Sequence, residues 1–324
     1  MGSTQFGNFH ADTDRTPVWV PQDFCRDSTL PVCNLFTNKT ATVAFGACDL
    51  TGIPLSGDRH LRNLGSILLA FIAIVLTVGM IWRSDKKHAA VGRREMQLFL
   101  LGFIIIEICE IFTVGGFPLS DAVRKVRFLQ NIFKALADGS IQGFSAVHIA
   151  AITATCWVLL MNALVGFQLL DDGTAASIGL ICASAAAFFI GTGYIALDTG
   201  FHWTGRFQSS YDKLNRNIAL YVLYQLFPLV CIVLFYILEA VLVLRVLGEF
   251  RPMLYLTGAG VLFAIGQVFN YVISTHLCQA SDGKINGALF ETLFTLLSVS
   301  GVWAFWSSIT EDDWPLPVGG GGYN

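Results

Sequence analysis

Seven stretches of this chain are each close to 20 residues long and almost wholly apolar. That is about the length a helix needs to cross the roughly 30 Å hydrocarbon core of a bilayer. They run approximately Leu64–Trp82, Leu98–Val114, Gln142–Leu164, Thr174–Leu197, Ile218–Leu244, Met253–Thr275 and Ile285–Trp306. Composition agrees: 54% of residues are hydrophobic and only 13% charged, against roughly 25% charged in soluble domains. A soluble chain needs more charge than this to cover its surface. The 26 Phe residues suit lipid-facing helices, and a net charge of −3 argues for no nucleic-acid or acidic partner. The sequence therefore predicts an all-α, polytopic membrane protein with a seven-transmembrane-helix bundle over residues 64–306. A polar, Cys-containing tail (1–63) precedes it and a short acidic tail (307–324) follows. No apolar run follows Met1, so the first span is expected to act as the targeting signal. Gly319 to Gly322 reads as disorder outside the fold.

Between the second and third spans, Phe128, Ile132, Phe133 and Leu136 share one helical face, which predicts an interfacial amphipathic helix over Phe128–Ala137. The loop after the first span holds Arg83, Lys86, Lys87, Arg93 and Arg94, a basic block that marks a cytosolic loop. This puts the N-terminus on the lumenal or extracellular side and the C-terminus in the cytosol. Arg124, Lys125, Arg127 and Lys134 oppose that assignment, but early segments usually dominate orientation. The sequon Asn38-Lys39-Thr40 agrees with a lumenal tail and makes Asn38 a glycosylation candidate. Of eight cysteines, Cys109, Cys156, Cys182 and Cys231 fall inside spans and read as packing residues. Cys25, Cys33, Cys48 and Cys278 all fall on the lumenal side, an even number that predicts two disulfides with three possible connectivities.

Polar groups inside the spans carry an insertion cost, about 2.5–3.5 kcal/mol for a charge at a helix centre. Glu107 and Glu110 share a face of the second span. Gln267, Asn270 and Ser274 form a stripe on the sixth span, and Glu291, Thr295 and Ser298 another on the seventh. Glu239 lies near the end of the fifth span, and Asn162 and Gln168 are counted with the third. No intramembrane Lys or Arg answers the acids. The expectation is interhelical hydrogen bonding that fixes the packing, in preference to an ion path or ligand pocket. Gly179, Ala183, Ala187 and Gly191 recur every four residues on the fourth span, and Ala146, Ala150 and Ala154 do so on the third. Such rows let helices approach closely, either within one bundle or against a span of another protein. Motifs for nucleotide, metalloprotease or serine-hydrolase chemistry are absent, and neither a cofactor nor a metal is expected. Asp171-Asp172 and Asp312-Asp313 have no cytosolic domain around them large enough to hold a nucleotide sugar.

The chain resembles the fungal chitin synthase export chaperone family. The resemblance rests on Phe24-Cys25, Leu30-Pro31-Val32-Cys33, Ala90-Val91-Gly92-Arg93-Arg94-Glu95 and, most strongly, Asn162 through Thr174 (NALVGFQLLDDGT). Gly266-Gln267-Val268, Cys278 and Trp306 through Asp313 (WSSITEDD) follow in family order. After Cys278 the chain departs from the family's aromatic–acidic–glycine pattern and reads Gly283-Lys284-Ile285-Asn286-Gly287. The resemblance implies a non-enzymatic, multi-pass protein of the endoplasmic reticulum membrane. Its partner would be a chitin synthase, which it would help to fold and leave for the cell surface, and with which it could travel to the plasma membrane. Gly92, Arg93, Arg94, Glu95, Asp171, Asp172, Glu311, Asp312 and Asp313 are then the candidates for cytosolic contact. A seven-helix receptor or a small-molecule transporter is the alternative. The last span lacks the Lys of a retinal protein, and no internal repeat suggests a transporter.

Overall fold

The computed structural model describes residues 28–36, 50–54, 60–116, 141–168, 172–201, 203–207 and 218–310. Seven helices among them are long and apolar enough to cross a membrane. They are α1 (Leu64–Lys86), α2 (Arg93–Thr113), α3 (Ile141–Gly166), α4 (Ala175–Phe201), α5 (Ala219–Leu247), α6 (Arg251–Ala280) and α7 (Gly287–Ile309). The seven-span reading holds, and each helix runs past its predicted stretch at one end or both. Arg93, Arg94 and Glu95, expected in a loop, form the first turn of α2. Cys278, expected in a loop, lies in the last turns of α6. Gln168, counted inside the membrane, stands two residues past α3 in a left-handed conformation (φ 54°). Each helix outruns its apolar stretch because backbone hydrogen bonding continues past the last hydrophobic residue.

Large apolar side chains point outward, including Phe71 on α1, Ile190 on α4 and Val246 on α5, each at least 60% exposed. That surface suits lipid. Inside, α3 is the axial helix. It packs on α2, α4, α5 and the short 3-10 turn Pro31–Phe36, while α1 joins α2 to α7 and α6 packs along α7. α5 and α6 touch least of the neighbouring helices. Small residues allow the close approaches: a Cβ on Gly102 of α2 would overlap the Thr155 hydroxyl of α3.

The alternation of helices puts Thr29–Phe36 and the starts of α1, α3, α5 and α7 at one face, here the N-terminal face. The loop 87–92, residues 167–168 and 172–174 and the end of α7 lie at the opposite face. Leu30, Val32, Cys33 and Leu35 pack against Ala146, Ile149, Ala196 and Leu220, so the N-terminal segment plugs the bundle. A two-residue antiparallel ladder, Ile53–Pro54 with His60–Leu61, leads into α1. Asn63 caps α1 by accepting from the Ser66 amide at 3.1 Å, and its Nδ2 donates to Asn286 Oδ1 at 3.0 Å. The starts of α1 and α7 are thereby tied together. The amphipathic segment Phe128–Ala137 lies outside the described residues, as do Cys25, Asn38, Cys48, Asp171, Glu311, Asp312 and Asp313.

Candidate functional site

Three arrangements emerge where the sequence showed scattered polar and small residues. The first is a cavity of about 480 Å³ between α2, α3, α5, α6 and α7. Glu107 and Glu110 reach it from α2, His148 from α3, Gln267 and Asn270 from α6, and Glu291 from α7. Thr295 Oγ1 donates to Glu291 Oε1 at 3.0 Å. His148 sets Nε2 3.6 Å from Glu110 Oε2 and Nδ1 3.1 Å from the Thr113 hydroxyl. Glu107 Oε2 and Glu110 Oε1 are buried and meet no hydrogen-bond partner. Helix-fixing contacts therefore account for one oxygen of Glu110, which meets His148 of α3, while Glu107 Oε2 and Glu110 Oε1 face a shared space.

Two departures from α-geometry shape that space. Val222–Leu226 of α5 and Phe269–Ile273 of α6 are π-turns, which admit an extra residue and swing side chains out of their α-helical positions. Tyr224, Gln225, Asn270 and Tyr271 lie in these turns and line the cavity. The α6 turn sits against the start of α7. A Cβ on Gly287 would collide with the Phe269 carbonyl and with Ser274, so only glycine lets α7 begin against this backbone. Ser274 Oγ accepts from the Gly287 amide at 3.1 Å, and Thr29 Oγ1 donates to Asn270 Oδ1 at 3.0 Å. Sequence reasoning missed Thr29, Tyr224, Gln225 and Tyr271. A π-turn leaves no residue-type signature from which a face can be predicted.

The second arrangement is at the opposite face, where three distant blocks of sequence meet. Gly92 caps α2 with φ 69°, and its amide donates to Asp172 Oδ1 at 2.9 Å. Asn162 Oδ1 stands 2.9 Å from the point that a Cβ on Gly92 would take. Trp306 Nε1 donates to the Val91 carbonyl at 2.9 Å, and Lys87 Nζ to that of Ser307 at 3.1 Å. Glu95 is fully buried in the first turn of α2, where the helix dipole favours a carboxylate. Arg93 folds back to donate to the Asp85 carbonyl at 3.2 Å, and Arg94 lies exposed. These contacts lock the loop to Asp172, between α3 and α4, and to α7.

The third arrangement is the row on α4. Gly179, Ala183, Ala187 and Gly191 are all exposed on the outer surface. No heavy atom lies within 4 Å of a Cβ built on Gly179 or Gly191. The buried contact with α3 runs instead through Gly193, whose Cβ would sit 3.6 Å from that of Ala150. Among the described residues, Cys109, Cys156, Cys182 and Cys231 are free thiols within the spans. Cys33 and Cys278, both buried at the N-terminal face, are held in disulfides.

Comparison with known proteins covers nearly the whole chain. The family described as chitin synthase export chaperone matches residues 21–320. A protein of that name from Coccidioides immitis is 28% identical over 299 residues, covering 91% of this chain and 83% of the relative. Its Aspergillus oryzae counterpart is 29% identical over 301 residues, with the same coverage. The Cryptococcus neoformans var. neoformans protein is 26% identical over 301 residues, covering 91% of this chain and 75% of its own. No solved structure matches. The match runs from the N-terminal segment that plugs the bundle to beyond α7, and the chain belongs to the chitin synthase export chaperone family.

Proposed function

We propose that this protein is a non-catalytic membrane chaperone that holds a chitin synthase laterally in the endoplasmic reticulum membrane until the client can be exported. Family membership supplies the client class. The observation that carries the mode of action is the bare row Gly179, Ala183, Ala187 and Gly191 on the lipid-facing side of α4. Lipid offers no hydrophobic force between helices, so association in a bilayer depends on close packing and interhelical hydrogen bonds. A smooth row about 18 Å long at a helical rise of 1.5 Å per residue lets a client span approach this backbone. Assembly of the client's own spans would then displace the chaperone.

In this reading the opposite face, with Arg94 exposed beside the locked Gly92–Asp172 junction, is cytosolic and meets client or coat. The N-terminal face is lumenal, where Cys25, Cys33, Cys48 and Cys278 form two disulfides and where Asn38 takes its glycan.

The test is co-purification of chitin synthase with the full chain carrying Gly179→Leu and Gly191→Leu. Reduced recovery at an unchanged melting temperature supports lateral docking, and unchanged recovery removes it. The role itself is tested by deleting the gene. Retention of chitin synthase in the endoplasmic reticulum supports export chaperoning, and normal arrival at the cell surface contradicts it.

A further inference from the structure

The cavity has a direction. Every helix that lines it contributes polar groups toward the N-terminal face and apolar groups toward the opposite face. On α2, Glu107 and Glu110 lie beyond Phe99 and Phe103; on α6, Asn270 and Tyr271 lie beyond Leu256 and Ala259. α7 repeats the pattern with Glu291 and Thr292 before Val299 and Val302, and α3 with His148 before Leu159. The space thus has an acidic pole and a greasy pole along the bundle axis, the inverse image of an amphiphile. Its volume, about 480 Å³, falls within the roughly 300–1,000 Å³ of small-molecule sites.

The cavity also has a mouth. Leu229 of α5 and Gly260 of α6 line it and are exposed on the outer surface, each about a third of the way along its span. The two helices are tied on either side of this gap. Gln225 Nε2 donates to the Tyr271 hydroxyl at 3.3 Å, and the Tyr236 and Thr257 hydroxyls meet at 3.1 Å. Gln225 and Tyr236 are eleven positions apart, which leaves a window about 16 Å tall at the helical rise. It opens where lipid chains lie. The Thr29–Pro31 segment closes the acidic pole from the N-terminal face.

The head-group chemistry follows from what the walls lack. Three carboxyl side chains, Glu107, Glu110 and Glu291, face the acidic pole, and no Lys or Arg lines the cavity among the described residues. Glu107 Oε2 and Glu110 Oε1 are buried without a hydrogen-bond partner. Buried polar atoms left so are few in folded proteins, and each needs an explanation. An ammonium group supplies donors for both oxygens and a countercharge. A phosphate would meet three carboxyls there, with no Lys or Arg among the described lining residues to balance it.

We propose that this cavity is a binding site for an amine-headed, phosphate-free amphiphile that enters from the bilayer between α5 and α6. The ammonium sits among Glu107, Glu110 and Glu291, and the tail lies against Phe99, Phe103 and Leu256. The site does not depend on the chaperone reading, since it is complete within one chain.

The experiment is equilibrium binding of radiolabelled sphingosine to the purified full chain in phosphatidylcholine nanodiscs, with no client present. Saturable binding near one per chain is expected, against empty nanodiscs as background. Glu107→Gln removes a carboxyl acceptor and should weaken binding about tenfold or more. Gly260→Leu puts a side chain at the mouth, where no atom lies within 4 Å of the new Cβ. It should block binding while the melting temperature without ligand is kept. N-acetylsphingosine, which lacks the amine, and sphingosine 1-phosphate should bind far more weakly. Absence of saturable binding, or unchanged binding to Gly260→Leu, overturns the site. Equally tight binding of the acetylated or phosphorylated probe overturns the head-group assignment. Loss of chitin synthase recovery in Gly260→Leu without any sphingosine binding overturns the proposal in favour of a protein occupant.

Discussion

Gly287 and Gly260 sit on adjacent helices, and their environments are opposite. Gly287 begins α7 against the π-turn of α6, where a methyl group has no room. Gly287→Ala should therefore lower stability by about 1–3 kcal/mol, the usual cost of overpacking, read as a drop in the melting midpoint of the detergent-solubilised protein. Gly179→Ala has open space and a helical backbone. It should be neutral or stabilising by up to about 1 kcal/mol, the helix-propensity difference. Gly92 is constrained differently, by φ 69° and by Asn162 Oδ1 beside it. Gly92→Ala should loosen the 87–92 loop, seen as faster amide exchange at Val91 and Gly92 with the spans unchanged. Trp306→Phe keeps the ring but loses the donor to Val91. Its cost should be near the roughly 0.6 kcal/mol average of hydrogen bonds in membrane bundles.

At the scale of elements, α4 carries two glycines two positions apart that face different surroundings. Gly193 looks at Ala150 of α3, while Gly191 looks outward. Gly193→Leu should wedge α3 from α4 and destabilise by about 1–3 kcal/mol. Gly191→Leu should leave the melting midpoint in place and act only on client recovery. Equal destabilisation by both would mean that the outer face of α4 is packed, contrary to its exposure. The π-turns belong to this scale as well. Without them Tyr224 and Asn270 would rotate out of the cavity, and the acidic pole would lose its aromatic and amide rim.

For the whole molecule, the N-terminal segment and α6 bring Cys33 and Cys278 to one face. Removing native disulfides typically costs about 2–5 kcal/mol. Reduction by a small thiol should therefore lower the melting midpoint, and Cys278→Ser should do the same without reductant. Orientation has its own measurement. In microsomes, a glycosidase-sensitive mass shift that disappears in Asn38→Gln fits a lumenal N-terminal face. A shift that persists would separate Asn38 from that assignment.

Much of this was legible in the residues alone. The seven apolar stretches dictate seven spans because a bilayer demands satisfied backbone over a known thickness. The blocks Ala90–Glu95, Asn162–Thr174 and Trp306–Asp313 marked the family, and their described parts converge on the Gly92–Asp172–Trp306 junction. The small-residue row on α4 was visible as a period of four. Its partner was not, since periodicity names a face of a helix without saying what lies opposite. The polar side chains were all visible too, and they read as helix-fixing bonds because linear order carries no information about empty space. Only the tertiary structure decided that α5 and α6 bulge and stand apart, and that Gly287 presses on one bulge. As a result one oxygen each of Glu107 and Glu110 faces a cavity rather than a neighbouring donor. A void is set by the packing of five helices at once, and no single segment of sequence encodes it.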